Sequence, residues 1–344
     1  MHTDEQLRQD GVFGQTIGAA TSRQRREEGA VVHVSDQVQS VTWQDEVLRV
    51  ARRVRVRVLE HILSNNGGYM SQACSSAETL AALYLKIMNL GPSEAPMVPL
   101  PFPGVPGPGN KDYFTGAAYN GPRAPHLDRF YLSPAHYALV LYATLIEVGR
   151  MAPDGLAQFN QDGSSVEMIG AEHSPGMEVT TGSLAQGLSQ AIGVAVARRL
   201  RGDTGRTWVY ISDGEFQEGQ TWEAMQFLSF YRLDTVGIYV DVNGQQCDGA
   251  MESVMPIEPL KARLEAFGAR VFQVDGHDPE ALAAPAALEP DGRPLVVLAY
   301  TDPCRGLDLL RRNAPKLHYL RFKSPEERQL YEAELRKMQT EEGV

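Results

Sequence analysis

Residues 207–249, TWVYISDGEFQEGQTWEAMQFLSFYRLDTVGIYVDVNGQQCDG, decide the fold. Two short apolar runs, TWVYIS (207–212) and TVGIYVDV (235–242), flank GQTWEAMQFLSFYRL (219–233), which reads as a helix. Strands that are apolar throughout, rather than alternating, are buried on both faces and belong to a parallel sheet covered by helices. The pattern continues downstream. LKARLEAFGA (260–269) reads as a helix, and RVFQV (270–274) and PLVVLAY (294–300) as strands. The expected fold class is α/β, with a mostly parallel central sheet and helices on both faces.

In an open parallel sheet, ligands bind beyond the carboxyl ends of the strands. The first run ends in Ser212-Asp213-Gly214 and the second in Asn243-Gly244, with 28 residues between Gly214 and Asn243, enough for one crossover helix and a strand. Either pair alone marks an ordinary turn. At neighbouring strand ends they bring a carboxylate and an amide oxygen into one crevice. With a backbone carbonyl, two diphosphate oxygens and water, these would complete an octahedron around a hard cation, Mg2+ or Ca2+. Gly214 would let the backbone approach an anion, and the following helix would direct free N–H groups at it.

Upstream, residues 1–40 are polar and without periodicity, and read as an N-terminal extension. The stretch from Trp43 to Ser64 carries Val47, Val50, Val54, Val58 and Ile62 at helical spacing. A second helix is expected over 75–90, with Ser75 or Ser76 as its N-cap. A Pro/Gly-rich loop spans 91–125, a buried helix is expected over 132–150, and a second loop covers 151–181. Residues 183–203 read as a helix with Gly187, Ala191 and Ala195 on one face, suited to close packing within the domain or against another subunit. The main domain is expected over 41–330, followed by a helical tail at 331–344.

A net charge of −11 argues against a nucleic-acid or anionic-membrane surface. Cys74, Cys247 and Cys304 are widely spaced and have neither disulfide-framework nor zinc spacing, which fits a reducing cytoplasm. No apolar run is long enough to cross a bilayer, and the N-terminus lacks the pattern of a secretion signal.

The segment 212–249 resembles the thiamine-diphosphate motif of the transketolase family, GDG followed some thirty residues later by Asn. HLDRFYLSPAHYALVLYATLIEVG (126–149), SPGMEVTTGSLAQGLSQAIGVAVA (174–197), LEAFGARVFQVDGHDPEAL (264–282) and NAPKLHYL (313–320) resemble further segments of that family in the same order. The resemblance covers about residues 43–325. It implies a domain that binds the diphosphate of thiamine diphosphate, with Asp213, Asn243 and the carbonyl of Gln245 on the metal. Gly214 and Glu215 would lie at the diphosphate and Gly182 and Leu184 along the aminopyrimidine. His136 and His318 would lie near the diphosphate and donor, and Glu218 and Glu223 at a subunit interface in a proposed relay.

Four departures stand out. Ser212 replaces the first Gly of the motif, and the Pro-rich loop is longer than its family equivalent. The family's early substrate-facing histidine falls at Tyr69, after Gly68. A second falls near Ile169–Ala171, with His173 close by but not assigned the role. The resemblance also implies a partner chain carrying the pyrimidine-binding domain and its activating glutamate, in an α2β2 assembly. The implied reaction moves a two-carbon ketol unit from a ketose phosphate to an acceptor. Alternatives are glycolyl transfer to a lipoyl group or acyl carrier protein, and decarboxylation of a 2-oxo acid.

Overall fold

The structure, a computed structural model, describes residues 41–343; the extension read at 1–40 lies outside them. Helix α1 (Trp43–Asn65) starts at Thr42, whose hydroxyl accepts from the Asp45 N–H while the Asp45 carboxylate accepts from the Thr42 N–H. Val47, Val50, Val54, Val58 and Ile62 are all buried, as their spacing requires. Helix α2 (Met70–Ala82) begins five residues ahead of the expected cap. Ser75 and Ser76 therefore lie inside it. The Ser76 hydroxyl bonds the Gln72 carbonyl one turn back, and Ser75 reaches across to Asp241. The N-cap reading fails because buried partners, not helix-end N–H groups, claim both hydroxyls.

After the Pro/Gly-rich loop come β1 (Arg129–Leu132), α3 (Ala138–Glu147) and α4 (Gln186–Arg201). The expected helix over 132–150 is thus a strand end, a 3-10 turn and a ten-residue helix. The chain continues with β2 (Thr207–Ser212), α5 (Gly219–Phe230) and β3 (Val236–Val242). A small hairpin, β4 (Gln245–Gln246) with β5 (Gly249–Ala250), leads to α6 (Met251–Val254) and α7 (Leu260–Ala266). Then follow β6 (Arg270–Asp275), α8 (Pro279–Ala283), β7 (Leu295–Tyr300) and α9 (Pro325–Glu342).

The central sheet has the order β1-β2-β3-β7-β6 and every neighbouring pair is parallel. Alternate residues feed two cores. Trp208, Tyr210, Tyr239, Val297 and Ala299 pack with α1, α2 and α3, whereas Val209, Ile211, Ile238, Val240 and Leu298 pack with α4, α5 and α7. Helices cover both faces, as expected from the continuous apolar strands.

Gly187, Ala191 and Ala195 are buried in the second core. A Cβ on Gly187 would stand 2.7 Å from the Ser133 Cα, so this small face seats α4 against the end of β1 within the same chain. The Pro/Gly-rich loop is tied to the second loop by Phe102 N–H to the Gly163 carbonyl (2.8 Å) and the Ser165 hydroxyl to the Leu100 carbonyl (2.6 Å). Among the described residues no helix is long and apolar enough to cross a membrane.

Candidate functional site

The register pairs Ser212 with Asp241, so β2 and β3 end side by side and release Asp213 and Asn243 at the same edge. Asp213 Oδ2 accepts from the Gly244 N–H at 2.9 Å, closing the two strand ends onto each other. The Asn243 Oδ1 accepts from the Gln245 N–H at 2.9 Å. Its Nδ2 donates to Asp241 Oδ2 at 2.9 Å and to the Tyr137 hydroxyl at 3.2 Å. A carboxylate only accepts, so Asp241 fixes which end of the amide is nitrogen and leaves the oxygen at the crevice.

Asp241 is the residue the sequence reading missed. It is 1% exposed and holds three further donors: Ser75 Oγ at 2.6 Å, Tyr137 Oη at 2.8 Å and Thr301 Oγ1 at 2.5 Å. A carboxylate inside an otherwise apolar strand, TVGIYVDV, was the available signal. Asp213 is also buried, and burial together with the Asp241 charge pushes its carboxyl up to about 8. Burial raises Asp241 as well, against its four donors. Every hydrogen-bond partner of the two carboxylates is a hydroxyl, an amide or a backbone N–H, with no arginine or lysine among the described residues.

Two buried carboxylates without a counter-ion are costly, and a divalent cation offsets that cost. The donor set, a carboxylate, an amide oxygen and nearby backbone, suits a hard ion that draws its remaining oxygens from a diphosphate. Among the described residues there is no cluster of three or more His, Cys, Asp or Glu side chains that would hold a metal unaided. The residues present fit an ion that arrives with an oxygen-rich ligand. Gln245 adds a buried side-chain oxygen with no hydrogen-bond partner.

Glu215, expected at the diphosphate, is anchored in the protein frame. Its fully buried carboxylate is occupied within the chain, by Ser133 Oγ and Ala185 N–H (2.9 Å) on one oxygen and Ser212 N–H (2.8 Å) and Oγ (3.2 Å) on the other. It ties the end of β2 to the start of α4. The Gly182–Leu184 turn runs directly into Ala185, the residue so held, with Gly182 exposed and Leu184 half-buried.

On the other side of the crevice, His136 and His318 face each other with ring centroids 5.0 Å apart, and Tyr69 lies 5.5 and 5.4 Å from them. Burial, then His318, pulls His136 down to about 3, and burial lowers His318 too. Both rings are therefore neutral near pH 7. Gln72 Nε2 lies 3.2 Å from His318 Nδ1 and holds that ring against α2. Gly170 N–H reaches the Ala135 carbonyl at 3.3 Å, so the Ile169–Ala171 turn adjoins His136. His173 instead packs on Phe102, with ring centroids 4.5 Å apart. Glu218 and Glu223 are exposed, Glu218 at the start of α5 and Glu223 within it. A cavity of about 580 Å³ opens beside Asn243 and Gly244, walled by Met251, Ile257 and Thr301.

A five-stranded parallel sheet with paired carboxylates and an oriented amide at its carboxyl edge defines an α/β domain of the diphosphate-binding kind. The family model "Transketolase, thiamine diphosphate binding domain" matches residues 113–301, over half of the chain. The chain belongs to the transketolase family. It is 33% identical over 280 residues to an uncharacterised transketolase family protein of Sinorhizobium fredii, covering 80% of this chain and 90% of that protein. It is 31% identical over 254 residues to the 6-deoxy-6-sulfo-D-fructose transketolase subunit of a Clostridium species, covering 73% and 82%. The transketolase of Pichia stipitis shares the fold, with a TM-score of 0.61 at 21% identity over 87% of this chain. The chain spans 45% of that enzyme's length.

Proposed function

We propose that this chain is the diphosphate- and metal-binding subunit of a two-chain thiamine-diphosphate transferase, moving a two-carbon ketol unit from a ketose phosphate to an acceptor. The observation that carries the reading is the meeting of Asp213 and Asp241 beside Asn243, buried and without a cationic side chain. Asp213, the Asn243 amide oxygen and the Gln245 carbonyl would hold Mg2+ or Ca2+. Gly214, with no side chain, would leave room for the diphosphate, and the Gly182–Leu184 turn would line the aminopyrimidine. His136 and His318, neutral through burial, would hydrogen-bond the cofactor and donor without adding charge. Thiamine diphosphate, held by these residues, would supply an electron sink for the carbon–carbon bond cleavage, while the protein would bind and orient.

The relative named as a transketolase subunit supports a partner chain, which would carry the pyrimidine domain in an α2β2 assembly. Glu218 and Glu223 of α5 would meet that partner. The three cysteines are free, in keeping with a reducing cytoplasm. A second reading, glycolyl transfer to a lipoyl group or acyl carrier protein, is favoured by Tyr69. Its phenol stands against His136 and His318 and narrows the donor side with an aromatic wall.

Calorimetry on the reconstituted pair tests the proposal. Asp213→Ala is expected to weaken Mg2+-dependent thiamine diphosphate binding at least about 100-fold, and wild-type affinity in the variant would overturn the metal assignment. Turnover of a ketose phosphate but not pyruvate is expected. Pyruvate consumption would overturn ketol transfer in favour of 2-oxo acid decarboxylation.

A further inference from the structure

At the opposite edge of the sheet from the crevice, four arginines surround a recess of about 250 Å³. Arg123 comes from the loop before β1, Arg129 opens β1, and Arg198 and Arg201 occupy the last turn of α4. Asp203 and Pro125 complete the rim. Arg129 pairs with β2 through Thr207, the first residue of that strand, whereas Asp213 follows the last. Six residues of strand put the recess about 20 Å from the crevice.

The charges in the recess do not cancel. Asp203 accepts from Arg201 at 2.8 Å and lies 3.7 Å from Arg198 Nε, and Glu178 pairs with Arg129. Asp128, the next carboxylate along, accepts from the N–H groups of Asn89 and Arg206 and the indole of Trp208, and its charge is set against the Arg206 guanidinium, which lies outside the recess. Among the described residues the one hydrogen bond of Arg123 is to the Thr115 hydroxyl, at 3.1 Å. Four guanidinium groups thus face two carboxylates. The C-terminal end of α4 adds about half a negative charge, which leaves more than one positive charge in excess. Burial and the charges of Arg123, Arg198 and Arg201 lower the pKa of Arg129, as expected for cations crowded without enough counter-charge.

The frame is built, not incidental. Arg198 is 3% exposed and its Nη2 bonds the carbonyls of Leu127 (2.6 Å) and Pro125 (3.2 Å), which fixes the loop carrying Arg123. A Cβ on Gly205 would stand 2.0 Å from the Leu127 carbonyl oxygen, so the chain closes tightly beneath it. Arg129 and Arg198 form a rigid floor, and Arg123 and Arg201 are exposed arms above it.

We infer that this recess is a second anion site, one that takes a phosphate dianion, free or as a small monoester, independently of the cofactor crevice. Guanidinium forks match phosphate oxygens in pairs. The volume lies below that of pockets for drug-sized ligands, which fits a phosphate with few attached atoms rather than a nucleotide. The inference does not rest on the proposed reaction.

The test is calorimetry of inorganic phosphate, and separately of glycerol 3-phosphate, into the full chain with its partner, saturated with thiamine diphosphate and Mg2+. Saturable binding is expected, at least tenfold weaker in the double variant R123Q/R201Q. Both substituted side chains are exposed, so the melting temperature should hold. Tighter binding of the ester than of phosphate assigns the site to esters, and equal binding assigns it to phosphate alone. Equal affinity in wild type and variant would overturn the inference, as would no saturable binding of either anion. Loss of thiamine diphosphate binding in the variant would overturn it too, because the two sites would then be one.

Discussion

Four side chains from four parts of the chain converge on Asp241: Ser75 of α2, Tyr137 ahead of α3, Asn243 after β3 and Thr301 after β7. Asp213 and Asn243 were legible because turn residues at strand ends stand out against apolar runs. Asp241 was not, because three of its four partners lie between 60 and 166 positions away. Glu78 of α2 is another such residue. It is 2% exposed, joined to Arg55 of α1 and 3.1 Å from His277 Nδ1. Burial alone would raise its pKa, but Arg55 and His277 outweigh burial and bring it down to about 2. A depressed carboxyl pKa stabilises the fold above the unfolded value of 4.5, and that stability is lost as pH falls toward 2. Glu78→Gln should cost about 3–5 kcal/mol at pH 7, because Arg55 stays buried with its charge unpaired. Urea unfolding at stepped pH should show the gap to wild type closing between pH 4.5 and 2. A gap that stays constant with pH would show that the ion pair is not its origin.

Among the elements, β2, β3 and β7 with their apolar runs and the shorter β6 were legible, and β1 was not. Arg129–Leu132 is only four residues long and runs on through Ser133 and Pro134 into the apolar α3. No change of period separates strand from helix there. The start of α2 was misplaced for a different reason: Met70 has no side-chain cap before it, and the hydroxyls that looked like caps are consumed by tertiary contacts. One glycine sets how closely β2 and β3 can pack. A Cβ on Gly237 would stand 2.2 Å from Cζ3 of Trp208, which is 1% exposed and has no room to withdraw. Gly237→Ala is expected to destabilise the domain by about 1–3 kcal/mol through overpacking. Tryptophan fluorescence during denaturant unfolding would report it. A change below about 0.5 kcal/mol, the scale of neutral surface substitutions, would mean the strands tolerate the added methyl.

For the molecule as a whole, the strand order has a consequence in time. β3 pairs with β2 on one side, but its other neighbour is β7, the last strand made. About fifty residues separate Val242 from Leu295. At ribosomal speeds of about 5–20 residues per second, the middle of the sheet stays an open edge for roughly 3–10 seconds. An unpaired apolar edge invites association with other chains. Thr301, which completes the hold on Asp241, emerges only after β7. A chain ending at Arg293 should therefore aggregate or unfold without cooperativity, and a soluble fragment with a sharp melting transition would contradict this. The strand that closes the sheet thus also sets the moment in synthesis at which the open edge of β3 disappears.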